Sequence, residues 1–206
     1  MDDIAPATSR RALLRALTTI PVATLTAPVE LPWSKALAAL NDHYNDPQVV
    51  LVRSRQGRNL SRFRYHNAES FYQGLGQGFY GHNVREMLYQ SGIVAQLALS
   101  SHLLDVGFPD EWNARQIRLD VAKSLAYANA TGFGHDCPDM ARLAAVLSPY
   151  WKWGHAHRFD KPTPDNGGFT LDEVWPLLRA LLGRVHDVTG HRRPNGWGRE
   201  QREMLS

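Results

Sequence analysis

Residue types able to do chemistry gather in two stretches of the chain. Gly134-His135-Asp136-Cys137 and Gly154-His155-Ala156-His157 hold His135, Cys137, His155 and His157, four nitrogen and sulfur donors, the number a closed tetrahedral zinc site takes. Their spacing, H-x-C and then H-x-H, is not the paired C-x2-C or H-x3-H of common zinc modules. A helix over 138–148 would also put about 16 Å between the two pairs at 1.5 Å per residue, so only a sharp reversal at Pro149 brings them together. The same loop offers a thiol nucleophile. Cys137 precedes Pro138 at an expected helix start, with His135 two residues away, and a helix N-terminus beside an imidazolium stabilises thiolate. A metal- or thiol-dependent enzyme would be centred on this loop, although no orienting Asn or Asp partner stands out.

The second stretch is cationic. Between Pro47 and Ala68 stand Arg53, Arg55, Arg58, Arg62 and Arg64 with no acid among them, interleaved with Phe63, Tyr65 and His66. Arginine's planar fork suits carboxylate and phosphate, so these five with Tyr65 form a candidate binding set for an anionic partner, either an acidic protein face or nucleic acid. A net charge of +3 is too small to hold the chain on nucleic acid by bulk attraction. Of the 23 cations, nineteen are Arg and four are Lys, a bias that GC-rich coding also produces.

The elements that must position these residues follow from periodicity. The β-branched run 48–52, the turn Gln56-Gly57-Arg58-Asn59 and the stretch 60–66 predict a small β-hairpin over 48–66, with Arg62 and Arg64 on one face and Phe63 and Tyr65 on the other. Trp33, Leu37, Leu40 and Tyr44 fall on one helical stripe that Pro47 stops. Four further helices are expected. The first covers 84–104, its second half apolar nearly all round. The next opens at Pro109-Asp110 and runs to Gly132 with Ala114, Ile117, Val121 and Leu125 inward. Another starts at Pro138, and the last runs from the capping-box pattern Thr170-Leu171-Asp172-Glu173 to Gly190. The expected fold is mainly α, a single helical-bundle domain of about five helices with that one hairpin. It spans 31–190, between a leader-like or arm segment (1–30) and a mobile basic tail (191–206).

Ser9-Arg10-Arg11-Ala12-Leu13-Leu14-Arg15, followed by a weakly apolar stretch over 16–27, resembles a twin-arginine export leader. It departs from that pattern at Leu13, where Phe is frequent, at Pro21 inside the apolar run, and at Leu25, which a cut after Ala27 would leave at the third position back, where a small residue is wanted. The resemblance implies a periplasmic helical protein beginning near Pro28. Otherwise the same residues make an amphipathic arm on a cytoplasmic protein.

A single cysteine rules out an intrachain disulfide, and no run approaches the ~20 apolar residues of a membrane span. Gly74-x-Gly76 and Gly76-x-Gly78 lack both the preceding apolar strand of a dinucleotide fold and the Gly-Lys of a phosphate loop, so no nucleotide or other cofactor is expected. His135-Asp136 and His186-Asp187 are similar to the His-Asp pair of metal phosphohydrolases only as isolated dipeptides. With no Gly-x-Ser-x-Gly, His-Glu-x-x-His or paired-carboxylate pattern, the leading expectation is a non-enzymatic binding or accessory protein.

Overall fold

Residues 33–76, 83–154 and 164–193, those described by this computed structural model, form helices and connecting segments with no strand among them. The helices are α1 (Ser34–Tyr44), α2 (Arg55–Gly76), α3 (Val84–Val106), α4 (Asp110–Trp112), α5 (Val121–Ala130), α6 (Pro138–Leu147), α7 (Trp151–Gly154) and α8 (Leu171–Thr189). The mainly α expectation holds. No described helix is long and apolar enough to cross a membrane.

Local chemistry sets several boundaries. Asn83 accepts from the backbone N–H of Arg85 and Glu86 to open α3, and Gly107 ends it in the left-handed region. Pro138 sits at the start of α6, where a missing N–H is harmless. Thr170 donates its backbone N–H to Glu173 Oε2 (2.9 Å) at the start of α8.

Helix α3 is the hub, packing on α2, α5, α6, α7 and α8. Its second half is apolar enough to be sealed all round, and every residue over 98–106 is buried. Side-chain pairs fix the direction of α2 against it. Arg58 meets Asp105, Ser61 meets Ser101 and Arg64 meets Ser100, so partner numbers fall as α2 rises and the two helices run antiparallel. Leu178, Leu181, Leu182 and Val185 of α8 and Met140, Leu143 and Leu147 of α6 complete the core, each contributing roughly 1.5–3 kcal/mol by burial. The end of α1 is tied down by a polar cluster. Tyr127 Oη donates to Asp46 Oδ2 (2.7 Å) and lies 2.9 Å from Asn41 Oδ1, and Lys123 Nζ bonds Asp46 Oδ1 (2.8 Å).

The hairpin expected over 48–66 does not form. Its first arm is extended, with Val49 and Leu51 packed on the core and Val50 and Val52 outward. It lies as a strap over the end of α3, where Val52 N bonds Gly107 O (3.0 Å). A Cβ on Gly107 would stand 2.8 Å from the Val52 backbone, so this close approach requires glycine. The expected second arm is instead the first half of α2. Buried Ser61, Tyr65, Ala68, Tyr72 and Leu75 recur every three or four residues, a helical stripe that runs on to the end of α2. Seven residues of aromatic alternation do not reveal that longer period.

The helix expected over 110–131 is also interrupted. After α4 the chain makes a π-turn, Asn113–Ile117, in which Arg118 N bonds Asn113 O (2.9 Å). Arg118 then takes a left-handed φ of 56°, and Asp120 recaps α5 by accepting from Lys123 N (2.9 Å). The about five helices expected become eight among the described residues, two of them, α4 and α7, only three and four residues long.

Candidate functional site

Helix α2 presents three faces, because 3.6 residues per turn sorts its positions into separate stripes. Ser61, Tyr65, Ala68 and Tyr72 point into the core. Arg55, Arg58, Arg62 and His66 form a second, outward stripe. Leu60, Phe63, Arg64 and Asn67 form a third, which borders a groove.

The five arginines therefore do not act as one set. Arg58 Nη1 pairs with Asp105 (3.3 Å), whose carboxylate is only 5% exposed, and Arg58 Nη2 donates to the Thr189 carbonyl (3.2 Å). Arg64 pairs with Asp110 and donates to Ser100 Oγ. Both guanidinium groups bind α2 to the rest of the bundle. Arg53, Arg55 and Arg62 are exposed and make no ion pair among the described residues. Tyr65, expected beside them, is in the core; burial first, and Glu69 second, raise its phenol well above the ordinary value.

Phe63 stands out between Arg62 and Arg64, 61% exposed, and on the strap Val50 and Val52 are 80% and 64% exposed. Two grooves meet at Leu60. One, of about 360 Å³, runs beside Val50, Val52 and Pro109. The other, of about 550 Å³, lies between α2, α3 and the π-turn. Of eight large apolar residues exposed among the described residues, four (Val50, Val52, Phe63 and Leu119) line these grooves, which concentrates exposed apolar surface on this side of α2.

The larger groove includes Asn113, 4% exposed, whose side-chain nitrogen and oxygen are buried without a hydrogen-bond partner. Gln96 Nε2 donates to the Arg118 carbonyl (3.0 Å), while its Oε1 is buried and unpartnered. Buried polar atoms are nearly always satisfied, and π-turns and left-handed non-glycine residues gather at functional sites. Three departures from ordinary folding thus meet in one place.

The histidine loops do not assemble comparably. His135 is half-buried, held by Asn129 through its backbone N–H (2.9 Å), and its imidazole is pushed down by burial and by Arg184. Cys137 is half-buried at the N-cap of α6. His155 and His157 lie outside the described residues, as does the leader-like segment. Among the described residues no three His, Cys, Asp or Glu side chains come close enough to hold a metal ion.

A serine–histidine pair is present elsewhere. Ser61 Oγ lies 2.6 Å from His191 Nε2, a nucleophile–base spacing. Both are sealed from solvent, at 0% and 2% exposed, and Ser61 Oγ also donates to the Ser101 carbonyl (2.7 Å). The pair is a latch, tying the residues after α8 to α2. The expected basic tail thus begins with a buried His191, and its residues beyond Arg193 lie outside the described residues.

The sequence reading missed Asn113, Gln96 and Arg118. One signal was available: Asn113 stands one turn before Ile117 on the inward stripe of the expected helix, a polar residue where an apolar one belongs. Comparison with known proteins gives no parallel, for no family model, curated protein or solved structure matches this chain.

Proposed function

We propose that this chain is a non-enzymatic binding protein that engages an acidic protein face through the outward side of α2. The observation carrying this reading is the junction at Arg62 and Phe63, where a cation that makes no ion pair among the described residues adjoins a largely exposed aromatic ring. Aromatic residues and arginine are enriched in protein interfaces, and exposed apolar surface beside a basic stripe favours a protein over a phosphate backbone. Nucleic acid is the weaker partner because two of the five arginines are engaged internally.

The test places a photoreactive phenylalanine analogue at position 63 of the full chain in the cells that make it. Adducts to an acidic protein are expected, lost when Arg55→Glu and Arg62→Glu are combined, and missing when the analogue sits at exposed Ala145. A duplex retarded at ~50 mM salt, its affinity falling by about 0.9 in log–log slope per phosphate neutralised, with no protein adduct at position 63, would overturn the reading.

A further inference from the structure

We infer that the groove between α2, α3 and the π-turn takes an extended acidic peptide segment of the partner, with Asn113 reading its main chain. This rests on the acidic-protein reading above and adds the form of the ligand and the residues that select it.

The first argument is the Asn113 amide. It is buried with neither its donor nor its acceptor satisfied, and it belongs to the groove lining. A side-chain carboxamide offers a donor and an acceptor side by side. One residue of an extended peptide presents its N–H and C=O toward the same edge, as in the doubly bonded pairs of an antiparallel ladder. Turned toward the groove, the carboxamide would close a two-bond ring with it. Gln96 Oε1, also unpartnered, adds an acceptor for a further peptide N–H.

The second argument is charge. Arg64 and Arg118 line the groove and no carboxylate does. Arg64 is already paired with Asp110, whereas Arg118 makes no ion pair among the described residues, leaving its guanidinium for an Asp or Glu of the ligand. The third is shape. Phe63, Leu97 and Leu119 supply apolar wall, and alternate side chains of an extended peptide point to opposite sides. One side chain can then pack on these residues while its neighbour reaches Arg118. A volume of about 550 Å³ lies within the roughly 300–1,000 Å³ of ordinary ligand sites.

The π-turn and the left-handed Arg118 account for how the site is made. A continuous α-helix through 110–131 would give each residue a regular helical partner. The wider turn sets Asn113 and Arg118 where they border the groove instead.

The experiment screens blocked hexapeptides carrying one fixed Asp or Glu and one fixed Leu or Phe against the full chain, then measures Kd of the tightest by fluorescence anisotropy. Asn113→Ala is expected to weaken binding about tenfold, as the loss of a pair of hydrogen bonds does, while its thermal midpoint stays the same or rises. Methylating the matching peptide nitrogen should weaken binding to the parent protein about tenfold and to Asn113→Ala no further. That cycle reads the main-chain contact even if the variant is less stable. Arg118→Gln should reduce the preference for acidic over neutral peptides.

Unchanged Kd in Asn113→Ala and Arg118→Gln, with binding lost in Arg62→Glu, would overturn the groove assignment and leave the acidic-protein reading standing. Equal binding of acidic and neutral peptides would overturn both.

Discussion

Acidification should cost this fold the free energy of charging His102. The side chain lies on α3, 3% exposed, its Nε2 3.2 Å from Thr131 Oγ1 and its ring 5.0 Å from that of Phe133. Burial is the main cause that lowers its pKa from 6.5 to about 4, with Arg184 and Arg53 adding to it and backbone bonds at Thr131 and Ala128 opposing. Between those two values the unfolded chain binds more protons than the folded one, so stability rises with pH across the window. The contribution is complete above 6.5 and lost as pH falls toward 4. At ~1.36 kcal/mol per pH unit the loss comes to about 3 kcal/mol, a large part of the roughly 5–15 kcal/mol that holds a domain folded. Urea unfolding at intervals from pH 4 to 7.5 measures it, with His102→Gln as the reference. Glutamine keeps a polar group for Thr131 and cannot take the proton. His135 and His191, also lowered by burial, are common to both proteins and cancel. The gap between the two stability curves should change by about 3 kcal/mol over the window; curves parallel to within about 0.5 kcal/mol would refute the reasoning.

Three other perturbations follow from the packing. Tyr127→Phe removes the hydroxyl between Asn41 and Asp46 and should cost about 1.5–3 kcal/mol, the range for bonds to charged groups, read by urea unfolding at pH 7. Arg58→Met should cost about 1–2 kcal/mol, because it leaves the buried Asp105 carboxylate and the Thr189 carbonyl without their partner, while the half-exposed position of Arg58 keeps it below the ~3–5 kcal/mol of sealed pairs. Arg62→Met, outward on the same helix, should stay within about 0.5 kcal/mol, and equal losses would show that the two arginines are not divided as described. Gly107→Ala forces a side chain into φ +113° against the Val52 backbone and should cost about 2–4 kcal/mol by strain and overpacking together, with a lowered thermal midpoint as the readout.

How much was legible in the sequence depended on how far each determinant reaches along the chain. Helices α1, α3, α6 and α8 could be read because caps, prolines and apolar stripes all lie within the segment, as Pro138 with Met140 and Leu143 does for α6. The π-turn could not. Asn113–Ile117 contains nothing that opposes an α-helix; the break is held from a distance, where Gln96 takes the Arg118 carbonyl and Tyr150 N–H meets the Leu119 carbonyl (3.4 Å). The basic segment was visible as composition, but which arginines are engaged depended on Asp105 and Asp110, more than forty residues away.

The misread period explains the candidate surface itself. In a strand Phe63 and Tyr65 share a face, because side chains alternate by two, and both rings would have stood together on one side of a ribbon. On a helix two positions are about 200° apart at 100° per residue. Tyr65 enters the core and packs its ring 5.9 Å from His191, while Phe63 turns out beside Arg62. The same period puts Arg64 on the groove stripe, where it meets Asp110, and keeps Arg55, Arg58 and Arg62 together on the outward one, from which Arg58 reaches Asp105. The exposed ring, the reduced cation set and the groove wall at Leu60 are therefore three consequences of one change of period. A substitution that broke α2 without touching Phe63, such as His66→Pro in the middle of the helix, should disperse all three together, lowering helical circular dichroism and removing cross-linking at position 63 in the same variant. Cross-linking that survived loss of the helix would show that this surface does not depend on it.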